Sequence, residues 1–360
     1  MNIIVNATAT RSSGALTIYK QFISHLKDYL RNDSYYIFID SSMPQPIIER
    51  VRYICDDNHS WLHRIYWDYW GCTKWLKRNG ISPDVIVSLQ NSGIITHCKQ
   101  VVYYHQPIPF YPQRWCIFKA EERVMALYKY LYPTIIAPTF NKFTNVVVQI
   151  PFIKKKFVKR FSLSSENVHV LFPDIEDIDV ESIIPSAIDK TKYHVVYPAT
   201  YFSYKEHRTI VEALFILKEK GSNLLKDIRV HFTLSKDDSL NLVESINEKG
   251  LIDNFIFEGR MSHDNLLSLY KASDVLVFPS VIETLGLPLI EAAKFGLPII
   301  AADLDYAHEV LSSYSGVTYV KPKIYDNWAN SIEFQCYNRG KFPPIEMFES
   351  SWKNFFDLIK

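Results

Sequence analysis

Two spacings of apolar residues alternate along the second half of the chain. Short runs of β-branched and aromatic residues are separated by stretches in which apolar residues recur every three or four positions. The runs predict six strands, at residues 194–199, 228–234, 254–259, 274–280, 297–303 and 317–320. The stretches between them predict helices at about 207–220, 238–249, 263–272, 287–296 and 305–312. Apolar strands that alternate with helices indicate a parallel sheet covered on both faces.

The first half repeats this alternation less regularly. Its predicted strands are residues 2–6, 35–40, 51–55, 84–89, 101–105, 145–149 and 168–172. Its predicted helices lie near 14–31, 60–79, 115–132 and 151–161. A last helix needs a surface on which to dock, because its apolar residues form one stripe. They are Trp352, Phe355, Phe356 and Ile359.

The length of 360 residues favours two domains over one. The acidic, proline-bounded segment 174–190 has poor periodicity and is the candidate linker. We therefore predict an α/β protein with two doubly wound, Rossmann-like domains. Their predicted ranges are 1–173 and 191–343, followed by the C-terminal helix at 344–360. Such folds bind ligands at the carboxyl ends of their strands.

Composition narrows the class of protein. A net charge of +1 implies no general attraction to nucleic acid. The chain contains no run of about 18 apolar residues of the kind that spans a membrane, and its first residues do not resemble a signal peptide. Five scattered cysteines without a C-x-x-C pair argue against a disulfide framework and a structural zinc site. We expect a cytoplasmic protein.

The stretch "ETLGLPLIEA" places Glu283 and Glu291 on either side of a Gly-Leu-Pro turn. Pro288 suits the first turn of a helix, whose free backbone N–H groups form a site for an anion such as a diphosphate. Carboxylates beside a diphosphate are useful only if they accept hydrogen bonds from hydroxyl pairs, which sugar and ribose both present. The alternative is that both glutamates are solvated and stabilised by the helix dipole. The amides concerned are those of Leu285, Gly286 and Leu287.

Further candidates follow other predicted strands. Lys205 lies between a strand and a helix, where a cation offsets phosphate charge. His105 ends a strand and precedes a loop rich in proline and aromatic residues, which includes Phe110. The loop after the first strand contains Ser13 and Gly14, and a small residue there lets backbone approach a ligand. Each of these residues also has an ordinary structural explanation.

The run from Pro279 to Asp303, with Glu309 and Val310 beyond it, resembles the E-x7-E signature of the glycosyltransferase group 1 family. These are retaining glycosyltransferases of the GT-B fold. The other candidates fall in the family's order, so the resemblance extends over nearly the whole chain. It implies two Rossmann-like domains that face a central cleft, with the C-terminal helix crossing back to the first domain.

The resemblance also implies roles for the matching residues. Three would be catalytic: His105, Glu283 and Lys205. The donor would be bound by Gly14, Lys205, Glu283, Leu285, Gly286, Leu287 and Glu291. The acceptor side would include Ser13, Gly14, His105 and Phe110.

Within the donor site, the resemblance assigns Glu283 to the sugar hydroxyls, Glu291 to the ribose and Lys205 to the diphosphate. The chain departs from the family where Ala199 and Thr200 replace a common Gly-Arg pair. A second cation is then either absent or supplied from elsewhere, for example by Arg208.

The function implied is transfer of a hexose or deoxyhexose, with retention, from a nucleotide-diphosphate sugar to a saccharide acceptor. The pathway implied is bacterial O-antigen or capsule synthesis, with a lipid-linked acceptor at the inner face of the cytoplasmic membrane. No cofactor and no metal are expected, and the D-x-D patterns at 177–179 and 303–305 are discounted. The basic segment 153–161 is a candidate for peripheral membrane contact. The alternatives are a nucleotide-sugar epimerase of the same fold and a non-catalytic partner that binds nucleotide sugars.

Overall fold

The computed structural model describes residues 1–11, 13–120, 122–346 and 349–360. The chain forms two compact units. The first contains Met1–Ile175 together with the last helix of the chain, and the second begins at Glu176.

The first unit is built on a parallel sheet of seven strands. In chain order they are β1 (Asn2–Asn6), β2 (Ser34–Ile39), β3 (Val51–Cys55), β4 (Val85–Ser88), β5 (Lys99–Tyr103), β6 (Thr144–Val148) and β7 (Val168–Val170). The spatial order is β3-β2-β1-β4-β5-β6-β7, so the direction of winding reverses between β1 and β4. Ligands bind at such switch points in doubly wound folds.

Within the described residues, six α-helices accompany this sheet before the chain leaves the first unit. They are α1 (Ser13–Tyr29), α2 (Trp61–Tyr66), α3 (Cys72–Arg78), α4 (Arg123–Ala126), α5 (Tyr132–Ile136) and α6 (Pro151–Phe161). A π-helical turn at Trp67–Gly71 joins α2 to α3, and another at Leu127–Leu131 joins α4 to α5. The predicted helix at 60–79 is therefore present with a π turn inside it.

The helix predicted at 115–132 starts too early in the sequence. The helix begins at Arg123 and continues through the second π turn to Ile136. The backbone N–H of Cys116 donates to the Glu122 carboxylate at 2.7 Å, which closes a turn ahead of the helix. Pro133 is accommodated just after the π turn, where the regular hydrogen-bond pattern is already interrupted.

The second unit contains a parallel sheet of six strands. They are β8 (Tyr193–Tyr197), β9 (Ile228–Phe232), β10 (Phe255–Phe257), β11 (Val275–Phe278), β12 (Ile299–Ala302) and β13 (Val317–Val320). The order β10-β9-β8-β11-β12-β13 is that of a Rossmann fold, with its switch point between β8 and β11. Every strand predicted from the sequence is present in one of the two sheets, which confirms the fold class.

The helices of the second unit include one that the sequence pattern did not predict. The α-helices of this unit are α7 (His207–Glu219), α8 (Leu240–Glu248), α9 (His263–Ala272), α10 (Leu287–Lys294), α11 (Asp305–Val310) and α12 (Tyr325–Tyr337). The unpredicted helix is α12, which packs on α7 and buries Trp328 and Ile332. It also exposes Phe334 and Tyr337, so its apolar residues do not form a single stripe.

The last helix, α13 (Trp352–Ile359), packs on the first unit. The Phe356 ring stacks on Phe22 of α1 with the centroids 5.4 Å apart. The indole Nε1–H of Trp352 donates to the Gln21 side chain at 3.2 Å. The predicted apolar stripe of α13 is thus buried against α1. Throughout the described ranges, no helix has both the length and the apolarity that a membrane span needs.

Candidate functional site

A lysine and a glutamate meet at the carboxyl ends of the two central strands of the second sheet. Lys205 ends a short helical turn after β8, and Glu283 lies in the loop after β11. The Lys205 Nζ lies 2.5 Å from the Glu283 Oε1, and both side chains are largely buried. The two residues that the sequence assigned to one site are therefore in contact, although 78 positions separate them.

The loops that hold this pair are tied to each other by backbone atoms. The hydroxyl of buried Tyr197 donates to the Lys205 carbonyl at 2.5 Å. The N–H of Val281 donates to the Tyr204 carbonyl at 2.9 Å, which links the loop after β11 to the turn after β8. The ammonium group of Lys205 also lies over the Tyr204 ring, 5.6 Å from its centroid.

Gly286 allows α10 to start directly beside Glu283. Its φ is +66°, a left-handed conformation that favours glycine. A Cβ at this position would lie 3.3 Å from the Leu289 Cδ1, so the site is also tight. The first N–H groups of a helix have no acceptor within the helix, and the start of α10 is therefore suited to an anion. Leu287 begins this helix, and Leu285 before it is buried.

Glu291 lies one turn into α10 and is held by two side chains of α9. Its Oε2 accepts from the Tyr270 hydroxyl at 3.2 Å, and its Oε1 lies 3.2 Å from the His263 Nε2. The hydrogen bond to Glu291 raises the pKa of His263, so the pair favours a charged imidazole. Sequence reasoning missed both partners. One sequence feature indicated these contacts, which is that residues 263–272 were predicted to form a helix of the same unit.

Tyr306 is another residue that the sequence did not single out. Its buried hydroxyl donates to the Ser280 carbonyl at 2.6 Å, at the point where β11 gives way to the loop. Its ring lies 3.6 Å from the position that a Cβ of Gly286 would occupy. Tyr306 therefore supports both ends of the loop that carries Glu283.

In the first unit, His105 lies two residues beyond β5. Its backbone N–H donates to the Asn91 Oδ1 at 2.5 Å, and its Nε2 lies 3.3 Å from the Asn91 Nδ2. Burial, followed by the charge of Arg64, lowers the pKa of His105 to about 4. The imidazole is therefore neutral at physiological pH.

A polar cluster that sequence reasoning missed lies at the same edge of the first sheet. The Asp68 Oδ2 accepts from the Ser92 hydroxyl at 2.6 Å, and burial raises the pKa of Asp68 to about 6. The Arg64 guanidinium donates to the Gln90 carbonyl and lies 3.3 Å from the Tyr132 hydroxyl. One sequence feature could have indicated this cluster: Arg64 and Asp68 are four positions apart in the predicted helix 60–79, so they lie on the same face of it.

The remaining candidates of the first unit have less distinctive surroundings. Ser13 begins α1, and its side chain lies outside the described part of the chain. Gly14 follows it, and a Cβ there would meet no atom within 4 Å. Phe110 is buried and packs on Tyr104 and Phe157, with ring centroids 5.6 and 5.9 Å away. Its position is that of a core residue, which is the simpler of the two explanations for an aromatic at this site.

Among the described residues, no group of three or more His, Cys, Asp or Glu side chains is arranged to hold a metal ion. Asp303, which belongs to one of the discounted D-x-D patterns, lies 2.7 Å from the His308 Nε2.

The family match lies within the second unit. Residues 180–339 match the family model described as Glycosyl transferases group 1. The O-antigen chain mannosyltransferase RfbU of Salmonella typhimurium is 24% identical over 181 residues, which are 50% of this chain and 48% of that protein. The chain thus spans about half the length of this curated relative.

Solved structures match over nearly the whole chain. WaaG, a glycosyltransferase involved in lipopolysaccharide biosynthesis, has a TM-score of 0.65 at 15% identity, covering 94% of this chain and 91% of that chain. Anabaena Alr3699/HepE in complex with UDP-glucose has a TM-score of 0.64 at 14% identity, with 94% and 90% covered. Similarity at these identities establishes the fold. Residues 180–339 are therefore a glycosyltransferase group 1 domain, carried by a chain with the GT-B fold.

Proposed function

We propose that this protein is a retaining glycosyltransferase that moves a hexose or deoxyhexose from a nucleotide-diphosphate sugar to a saccharide acceptor. One observation carries the proposal: Lys205 and Glu283 are in contact beside the start of α10. The site thus combines a cation, a carboxylate and helix-start amides, which suit a phosphate, a sugar hydroxyl and a second phosphate oxygen respectively.

The donor is held from two sides of α10. Glu283 accepts hydrogen bonds from sugar hydroxyls, and Lys205 and the amides of Leu285, Gly286 and Leu287 lie along the diphosphate. Glu291 accepts from the ribose hydroxyls. Because its Oε1 already lies 3.2 Å from His263, the ribose shares or replaces that contact. Support for a nucleotide-sugar donor comes from HepE, whose structure is a complex with UDP-glucose.

The reaction breaks the bond between the anomeric carbon and the diphosphate oxygen and forms a bond from the same carbon to the acceptor oxygen. The acceptor attacks the face that the diphosphate leaves, and a donor phosphate oxygen takes its proton, so the configuration is retained. Lys205 stabilises the charge that develops on the leaving diphosphate. Glu283 orients the sugar and favours its positive charge, and His105 donates a hydrogen bond to a sugar hydroxyl. No metal is needed in this mechanism.

We further propose that the acceptor is lipid-linked and belongs to bacterial surface polysaccharide synthesis. Support for this pathway comes from RfbU, described as an O-antigen chain mannosyltransferase, and from WaaG, described as a glycosyltransferase involved in lipopolysaccharide biosynthesis. Charge supports the membrane contact: residues 114–160 contain ten Lys or Arg and two Glu, whereas the whole chain has a net charge of +1. A locally basic surface of this kind is attracted to anionic lipid.

Only part of helix α6 is available for such contact. Its apolar residues Ile153 and Phe157 are buried in the first unit, so they do not reach lipid. Three of its lysines, Lys155, Lys156 and Lys159, are exposed. Phe118, in the segment before α4, is 89% exposed, and it is the apolar side chain that we propose to enter the bilayer surface. The proposed contact is therefore made by a basic helix face together with a separate aromatic residue.

Incubation with a panel of UDP-, GDP- and dTDP-sugars, with and without bacterial membrane extract, tests the proposed function. Free nucleotide is followed by chromatography. One donor is expected to release nucleoside diphosphate only when extract supplies the acceptor. Glu291→Ala should raise the KM for that donor about tenfold or more, because a charge-assisted hydrogen bond is lost.

The matched control is Glu244→Ala, which removes an exposed glutamate of α8 in the same unit. It should leave the donor KM unchanged. The proposal fails if no donor is bound or consumed and Glu291→Ala behaves like the control. Sugar isomerisation without any acceptor would identify an epimerase instead.

A further inference from the structure

The backbone of His105 fixes the orientation of the Asn91 side chain. The N–H of His105 lies 2.5 Å from the Asn91 Oδ1, and a backbone N–H can only donate. The amide oxygen of Asn91 must therefore face this N–H. The Asn91 NH2 group is consequently the part that faces the imidazole.

This orientation determines where the imidazole carries its proton. The Asn91 Nδ2 lies 3.3 Å from the His105 Nε2, and an amide NH2 group can only donate. Nε2 must then be the unprotonated nitrogen, so the proton of the neutral ring lies on Nδ1. A doubly protonated ring would place two donors face to face. Burial and, to a lesser extent, the nearby Arg64 charge also disfavour the doubly protonated ring, because both lower the pKa of His105.

The Nδ1 atom has no hydrogen-bond partner among the described residues and is itself buried. A buried N–H donor without an acceptor is unfavourable, and an acceptor oxygen from a bound ligand would satisfy it. A sugar hydroxyl or ring oxygen has the required chemistry.

Asn91 adopts an unusual backbone conformation to reach this position. Its φ is +68°, a left-handed value that is uncommon for residues other than glycine. Its own N–H donates to the Tyr103 carbonyl at 3.3 Å, which ties the loop after β4 to the end of β5. Asparagine adopts this region more readily than most other residues, and the contacts around Asn91 hold it there.

We propose that Asn91 is a positioning residue that holds His105 in its Nδ1–H form, so that Nδ1 donates a hydrogen bond to an oxygen of the sugar substrate. The inference rests on the proposed function for its ligand. The placement of the proton itself does not depend on that function.

Nitrogen-15 NMR of the histidine rings in the full, unliganded chain tests the placement of the proton. Signals of His105 are identified by their loss in His105→Gln. The expected wild-type spectrum at pH 8 shows an unprotonated Nε2 and a protonated Nδ1 for His105. The opposite pattern overturns the inference.

Two variants at position 91 test the role of the amide. Asn91→Gly keeps a residue suited to positive φ but removes the donor, so the Nε2 signal should move toward that of a protonated nitrogen. Asn91→Asp replaces the donor by an acceptor, so the proton should move to Nε2. The matched control is Ser162→Gly, another left-handed residue of the first unit with φ +54°, which should leave the His105 signals unchanged. If both Asn91 variants also leave them unchanged, Asn91 does not position the ring.

Kinetics with the donor that the nucleotide-sugar panel identifies test the consequence for transfer. At pH 8, Asn91→Asp should lower kcat about tenfold, because Nδ1 then presents a lone pair to the substrate oxygen. The donor KM and the thermal stability should match those of Ser162→Gly. A reversed proton position with unchanged kcat overturns the substrate contact. If the wild type transfers no sugar at all, the proposed function fails, whereas the NMR result still decides the role of Asn91.

Discussion

At the scale of single residues, burial sets the protonation of groups next to the candidate site. His207 begins α7 directly after Lys205 and Glu206, and it lies between the rings of Tyr197 and Phe232. Burial lowers its pKa from 6.5 to about 3. The folded protein therefore keeps this histidine neutral over a range in which the unfolded chain protonates it.

This difference predicts a loss of stability in acid. A histidine whose pKa is lowered on folding binds fewer protons in the folded state, so the free energy of unfolding falls as pH drops from 6.5 toward 3. At pH 5 the penalty from His207 is about 2 kcal/mol. His207→Phe should remove it and reduce the drop in Tm between pH 7.5 and pH 5. An equal drop in the variant and the wild type would show that His207 contributes nothing.

At the residue scale, the structure brings together two candidates that follow the ends of neighbouring strands. Glu283 and Lys205 follow strand ends, and strands that are neighbours in a parallel sheet bring their following loops together. The partners of Glu291 on α9 and the amide of Asn91 were not predictable in the same way. Their contacts depend on which elements pack side by side, and spacing along the chain does not contain that information.

At the scale of elements, the start of α10 is the feature on which the proposed donor site depends. Gly286 and Gly221 have nearly the same left-handed φ, +66° and +68°. A Cβ at Gly286 meets Leu289, whereas a Cβ at Gly221 meets nothing within 4 Å. A comparison of alanine substitutions at the two glycines therefore separates the cost of backbone strain from the effect of displacing the start of α10.

Alanine at either glycine should lower the free energy of unfolding by about 1 kcal/mol, since both adopt left-handed backbone. Only Gly286→Ala should also raise the KM for the donor, because it shifts the amides of the helix start. Denaturant unfolding and initial rates measure the two effects. Equal donor KM values for the two variants would argue against a role of the α10 start in binding.

Strands and helices were easiest to predict where their pattern of apolar residues is uninterrupted. Strands such as β11 and β12 are buried throughout, so their apolar runs are uninterrupted. Helix α12 was missed because exposed aromatic residues obscure its buried face. The helix around 115–132 was placed too early because the Glu122 side chain closes a turn that looks helical in spacing.

At the scale of the whole molecule, charge is distributed very unevenly along the sequence. Residues 114–160 have an excess of eight positive charges, which the rest of the chain nearly balances. Lys129 lies near Lys156 and Arg160, and burial together with their charges lowers its pKa. Lys129 of the second π turn and Lys156 and Arg160 of α6 thus lie close together and form a basic surface of the first unit. The second half of the chain was the easier half to predict, because its strands and helices alternate regularly. The basic surface could not be predicted from the sequence, because it depends on how the elements of the first half pack together.

Vesicle sedimentation tests whether this surface binds lipid. The full chain should sediment with vesicles that contain anionic phosphatidylglycerol and remain free with phosphatidylcholine alone. Combined Lys155→Glu and Lys159→Glu should weaken binding about tenfold or more, because each basic residue near the surface contributes about 1 kcal/mol. Lys20→Glu on α1 is the control for a single charge reversal in the same unit. Equal binding of both vesicle types would exclude an electrostatic contact.

The central claim is that Lys205 and Glu283 together form the donor site, and a double-mutant cycle on kcat/KM for the donor tests it most directly. Lys205→Met and Glu283→Gln should each lower kcat/KM about 100-fold or more, since each removes a group that stabilises the transition state. Because the two groups lie 2.5 Å apart, the double variant should be little worse than either single variant. Fully additive losses, or single variants as active as the wild type, would contradict the claim.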